Sequence, residues 1–187
     1  MSTDVLKERE RALENAWFQK REAELAERRR AAKEREARAR ALGEACGLED
    51  AEVLNALVDL GIEAEAVAAL ALVPLVAMAW ADGRLGVSER QAVLDAAHHA
   101  GVDRGRPGYA LLEEWLETRP APLLYKTWIE FARALRDQLD EGQRAALRKD
   151  FVDRARDIAE AAGGVLNLGP HVSSEEHEML EEIANVF

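Results

Sequence analysis

The sequence predicts an all-α fold: a helical bundle of about seven helices with a long N-terminal helical arm. Three observations lead there. Ala, Leu, Glu and Arg dominate the 187 residues, Val, Ile and Thr are sparse, and aromatics are only 5%, a mix that favours helix over sheet. No stretch alternates apolar and polar residues with period two for long, as a half-buried strand would. Gly, Pro and Ser/Asp signals cut the chain into helix-sized pieces.

The arm is residues 1–45. Residues 4–42 contain neither Gly nor Pro, so nothing there stops a helix, and Gly43 suits its C-terminal end. Glu24–Arg28, Glu34–Arg38 and Glu36–Arg40 stand in the favourable i,i+4 order, each pair worth about 0.2–0.5 kcal/mol. In the first half, Leu6, Leu13 and Trp17 fall on one narrow stripe, with Phe18 and Leu25 on the adjacent flank. From Ala26 to Ala41 the apolar residues are all Ala, which reads as a solvated helix. The first half is therefore expected to dock on the chain's own body, on a second copy, or on a protein partner.

Residues 46–61 form a connecting segment with a short helix from Asp50 to Leu60, ended by Gly61. Residues 62–187 form the helical domain. Glu63 to Ala81 reads as one apolar helix kinked at Pro74. Its uncharged run, Ala66 to Ala81, falls short of the roughly 20 residues of a bilayer span, so it is expected to be the central buried helix. Asp82-Gly83 ends it. Ser88 with Gln91 reads as a capping box opening a helix to Gly101. Pro107 and Pro122 open the next two. Asp140 with Gln143 caps a helix to Ala162, Gly163-Gly164 breaks it, and Ser173-Ser174 opens the last one. Trp80, Trp115 and Trp128 each lie on an apolar helix face and are expected in the core.

The net charge of −11 is unevenly placed: +2 over residues 1–45 and −13 over residues 46–187. An acidic body argues against nucleic-acid binding over the whole surface. Residues 26–41 carry +4. A solvated helix is the first reading of that run, ahead of an RNA contact, a peripheral contact with anionic lipid, or a clamp on the acidic body. The single cysteine, Cys46, cannot staple the fold, and the first fifteen residues lack the apolar run of a secretory signal. The expected location is cytoplasmic.

One loop carries candidate chemistry. Asp82-Gly83-Arg84-Leu85-Gly86-Val87-Ser88-Glu89 matches the second half of a calcium loop, with Asp82, Gly83, Leu85 and Glu89 at positions 5, 6, 8 and 12. Positions 1 and 3 are then Met78 and Trp80, which supply no carboxylate. Asp82 and Glu89 are the candidate metal ligands, and two carboxylates with carbonyls and water make a weak site for a divalent cation, Ca or Mg. A weak internal repeat pairs Asp82–Ala97 with Leu168–Ile183: Gly83 with Gly169, Ser88 with Ser174, Glu89 with Glu175. Leu168 stands opposite Asp82, so the second copy lacks that acid.

AWADGRLGVSERQAVL resembles the A-x-A-D-G-x-x-x-x-x-E signature of TerB-like (tellurite resistance) domains, also found in DjlA-type co-chaperones, over about residues 62–187. The resemblance implies an all-helical domain, an acidic cation site carried over only to Asp82 and Glu89, and a stress-associated setting often near membranes. The arm has a fainter likeness: Arg11-Ala12-Leu13-Glu14 and Phe18 resemble a stretch of the zeta-type inhibitor subunits of bacterial F1-ATPases, which implies an ATPase partner.

No enzyme is expected. His98 and His99 are neighbours about 100° apart on a helix, His177–Glu181 reads as a surface pair, and there is no H-E-x-x-H, P-loop, G-x-G-x-x-G or nucleophile elbow. The expectation is a non-enzymatic binding module with a weak cation site, or an interaction protein whose arm docks a partner.

Overall fold

The computed structural model describes the backbone of residues 2–163 and 174–186, and side chains over 15–158 and 174–186. The protein is all-α. Its elements are α1 (Ser2–Cys46), α2 (Ala51–Asp59), a 3-10 helix (Ala64–Leu72), α3 (Val73–Ala79), α4 (Val87–His99), α5 (Pro107–Glu117), α6 (Pro122–Arg136), α7 (Glu141–Gly163) and α8 (Ser174–Val186). Among the described residues there is no strand.

The chain divides into two compact units, Met1–Arg38 and Ala39–Phe187. The first is α1 as far as Arg38, and the side chains described there are nearly all exposed. The second begins inside the same helix, earlier than the expected boundary at residue 45. The reason is burial: Ala39 and Leu42 belong to the core of the second unit.

Gly43 does not end α1. The helix runs on through it to Cys46, and Gly47 stops it with φ +70°. Leu48 N–H then returns to the Gly43 carbonyl at 3.1 Å, the closing bond of a Schellman turn. Gly43 is needed for a different reason. A Cβ there would meet the Leu48 carbonyl oxygen at 2.7 Å and Leu54 Cδ1 at 2.9 Å.

The second unit is organised around α3. Six of its seven residues are buried: Val73, Pro74, Leu75, Val76, Met78 and Ala79. A helix that is apolar all round must be covered on all sides, and α4, α6, α7, α8 and the 3-10 helix pack on it. α5 packs on the 3-10 helix and α2 on α6. The single kinked helix expected over 63–81 is instead a 3-10 helix followed by a new α-helix with Pro74 in its first turn. Pro lacks the N–H and collides with the carbonyl four residues back, so an α-helix starts at Pro74 rather than passing through it. Among the described residues no single helix is long and apolar enough to cross a membrane; only α2 and the 64–79 segment, bent by 89°, pass that test, and only when taken together.

Most other boundaries follow local chemistry. Asp50 caps α2 by accepting from Glu52 and Val53 N–H at 3.0 and 3.1 Å. Asp140 and Gln143 form the expected reciprocal box, with bonds of 3.0 and 2.8 Å. Trp115 and Trp128 are buried, and Trp80 is partly buried against the core.

Gly43→Ala provides a direct test of this junction. Gly to Ala inside a helix normally stabilises by about 1 kcal/mol. Here the clash with backbone should reverse the sign, and thermal denaturation should show a loss of about 1–3 kcal/mol.

Candidate functional site

The 82–89 loop joins α3, the central helix, to α4. Gly83 makes the turn at φ +87°, a left-handed conformation that favours glycine, and its N–H donates to the Trp80 carbonyl at 3.0 Å. Asp82 folds back on the loop: its Oδ1 accepts from Arg84 N–H at 2.8 Å. The expected Ser88–Gln91 capping box does not form. α4 starts one residue before Ser88, with Gly86 as its N-cap, and it is Glu89 that reaches back to accept from Gly86 N–H at 2.5 Å. Gln91 donates to Asp95 instead, at 2.8 Å. A side chain on Gly86 would place a Cβ 2.8 Å from Glu89 Oε2, so glycine makes room for this contact.

Glu89 is only 7% exposed and lies on the inner face of α4 with Val93 and Ala97. Burial pushes its pKa above the ordinary 4.5; the Gly86 hydrogen bond pulls it down; the charges of Asp82 and Glu176 push it up again. Glu176 is 5% exposed. It is the third residue of α8, as Glu89 is the third residue of α4. The sequence repeat paired Glu89 with Glu175, but Glu175 is exposed and the inward acid is the next one along. Position within the helix, rather than ungapped alignment, was the signal that identifies Glu176. Gly169 and Leu168, the repeat's other partners, lie outside the described residues.

The structure thus brings Asp82, Glu89 and Glu176 into one electrostatic neighbourhood. It does not draw them into a ligand set: among the described residues no three His, Cys, Asp or Glu side chains converge as a metal site would require. Met78 is buried in the core and the Trp80 indole N–H donates to the Trp115 carbonyl at 2.9 Å, so calcium-loop positions 1 and 3 offer no side-chain oxygen. Besides Arg84 within the loop, Arg119 comes near it, with Nη1 3.7 Å from where a Gly83 Cβ would stand. It also lines an open cavity of about 450 Å3 with Glu175, Glu178 and Glu182 of α8.

On the arm, Trp17 is 54% exposed, Phe18 58% and Leu25 46%. Trp17 and Phe18 meet edge to face at 5.1 Å, and the Arg21 guanidinium lies 5.2 Å from the Trp17 ring centre. Leu6 and Leu13 lie on α1, with side chains outside the described residues. The histidines make local contacts: His98 to Asp103 at 2.7 Å, His99 to the Asp95 carbonyl at 2.7 Å, and His177 to Glu181 at 3.5 Å on the surface.

Comparison with known proteins found no matching family model, no matching curated protein and no matching solved structure.

The raised pKa of Glu89 has a signed consequence. The folded protein holds this proton more tightly than the unfolded chain does, so the stabilisation is present below the ordinary value of 4.5 and lost as pH rises through the folded value. Glu89→Gln keeps a carbonyl for Gly86 N–H and removes the charge. Its melting temperature relative to wild type should therefore be higher at pH 7 than at pH 4. An equal difference at both pH values would remove the buried charge from the description.

Proposed function

We propose that this protein is a non-enzymatic, TerB-like binding module of the cytoplasm, associated with stress, whose 82–89 loop holds a divalent cation weakly. One observation carries the reading: a nearly buried carboxylate, Glu89, stands in the negative field of both Asp82 and Glu176. A cation relieves like charges that raise one another's proton affinity. Asp82 and Glu89 are the ligands in this reading, with loop carbonyls and water completing the oxygen shell of Ca or Mg. Glu176 acts through its charge.

Calorimetric titration tests it. Ca²⁺ or Mg²⁺ should bind with a dissociation constant of about 10⁻⁴–10⁻³ M, the weak end of such sites, and Asp82→Asn should weaken binding about tenfold or more. Absence of binding, or an unchanged affinity in Asp82→Asn, rejects the site.

A second reading has its own support. Trp17, Phe18 and Leu25 expose large apolar surface on one helix, which a solvated helix does not need. In this reading the arm docks a protein partner, an ATPase in line with the zeta-type likeness, or a second copy of the chain. For the second copy, light scattering should show a mass above the monomer that falls to the monomer in the Trp17→Ala/Phe18→Ala double variant. A wild-type protein that stays monomeric at high concentration contradicts self-association.

A further inference from the structure

The large apolar residues exposed on α1 belong to a stripe that matches its own reverse. At 100° per residue, positions 7, 11, 14 and 18 and positions 25, 29, 32 and 36 fall within about 60° of one another, and α1 is one continuous helix across all of them. Taken inward from the two ends, Lys7 matches Glu36, Arg11 matches Ala32, Glu14 matches Arg29 and Phe18 matches Leu25. Opposite charge meets opposite charge, and apolar meets apolar. The midpoint lies between Arg21 and Glu22, again an opposite pair.

A twofold axis across a helix requires this kind of match, because residue i of one copy then meets residue j of the other and j meets i. Two copies laid antiparallel about the Arg21–Glu22 midpoint set level the positions that sum to 43. Over residues 7–36, charge meets charge at six of those pairs, and all six are opposite in sign. A shift of one residue either way spoils the match: Glu8 then meets Glu34 or Glu36, and Arg9 meets Lys33 or Arg35. A parallel pair in register sets every charge against its own copy. The charge pattern therefore selects both a direction and a register.

The structure adds the apolar centre. Phe18 and Leu25 are exposed on the single helix. Trp17 braces Phe18 edge to face and carries the Arg21 guanidinium over its own ring, so this part of the stripe is ordered before a partner arrives.

This step rests on the reading in which the arm docks a second copy. We propose that two copies pair antiparallel along α1, with Phe18 of each against Leu25 of the other on either side of the Arg21–Glu22 midpoint. The overlap from 7 to 36 is about 45 Å long at 1.5 Å per residue. Its affinity comes from the large side chains beside the axis. The ion pairs lie at an exposed two-stranded seam, where each is worth little, and they set direction and register instead. The dimer loosens with salt.

Sedimentation equilibrium of the full-length protein at low salt tests the register. Wild type should show a monomer–dimer equilibrium. Glu14→Arg sets Arg against Arg29 twice in each dimer and should raise the dissociation constant about tenfold, as should Arg29→Glu. The double variant Glu14→Arg/Arg29→Glu restores the opposite signs and should return to within about threefold of wild type. A helical spectrum checks that each variant folds. Disulfide cross-linking in a Cys46→Ser background tests the direction. Arg11→Cys mixed with Ala32→Cys should give a linked dimer, and Arg11→Cys alone should not, since its two copies would stand about 30 Å apart along the helix. A wild-type protein that stays monomeric removes self-association and this pairing together. A dimer that the Trp17→Ala/Phe18→Ala variant dissociates, but that Glu14→Arg leaves intact or the double variant fails to restore, keeps self-association and overturns this register. Cross-linking of Arg11→Cys alone overturns the antiparallel direction.

Discussion

Seven residues with no polar face govern the second unit. α3 must be covered on all sides, and the five elements that cover it fix where almost everything else lies. A helix of seven residues has little stability of its own in water, so its existence depends on that burial. The gain is of the order of 1.5–3 kcal/mol for each fully buried large aliphatic side chain, and Leu75, Val76, Val73 and Met78 all reach that state. The position of the acidic loop is a consequence, since it leaves the C-terminal end of α3.

The loop end shows how a fold can hold a carboxylate at a cost. A glutamate in the first turn of a helix gains about 0.3–1 kcal/mol from the helix dipole, and Glu89 adds a hydrogen bond to Gly86 N–H. Against this stand desolvation and the charges of Asp82 and Glu176. The opposing terms leave a proton held more tightly than usual. α8 also carries a buried acid, Glu176, at its third residue, so two helix starts place acids in one region. That convergence, rather than a completed set of ligands, distinguishes this loop from an ordinary helix–loop–helix turn.

The helices were legible because their signals are local. Asp50, Asp140 with Gln143, Pro107, Pro122, Gly61 and Gly101 act within one turn of chain, and each lies at or beside the element end it marked. Three signals misled where distant neighbours decide. Gly43 reads as a stop, but Leu48 and Leu54 crowd it and Gly47 supplies the turn. Pro74 reads as a kink, but the chain starts a new helix there. Ser88 reads as a cap, but Glu89 bonds to Gly86 and fixes the start two residues earlier. The candidate site was half legible. Asp82 and Glu89 are close in sequence, whereas Glu176 joins them only through packing of α8 on α3. The cavity between α3, α6 and α8 was not legible at all, since Trp80, Tyr125 and Met179 come from three separated stretches of chain.

The central claim is that Glu89 is a buried carboxylate opposed by two like charges, and its own titration measures this most directly. Carbon-13 NMR of the glutamate side-chain carboxyls, with Glu89 assigned by comparison with Glu89→Gln, gives the midpoint for that one group. The protein described here predicts a midpoint above the ordinary 4.5, moving downward in Glu176→Gln as one opposing charge is removed, and downward again on adding Mg²⁺ or Ca²⁺. A midpoint at or below the ordinary value, unmoved by Glu176→Gln, would contradict it.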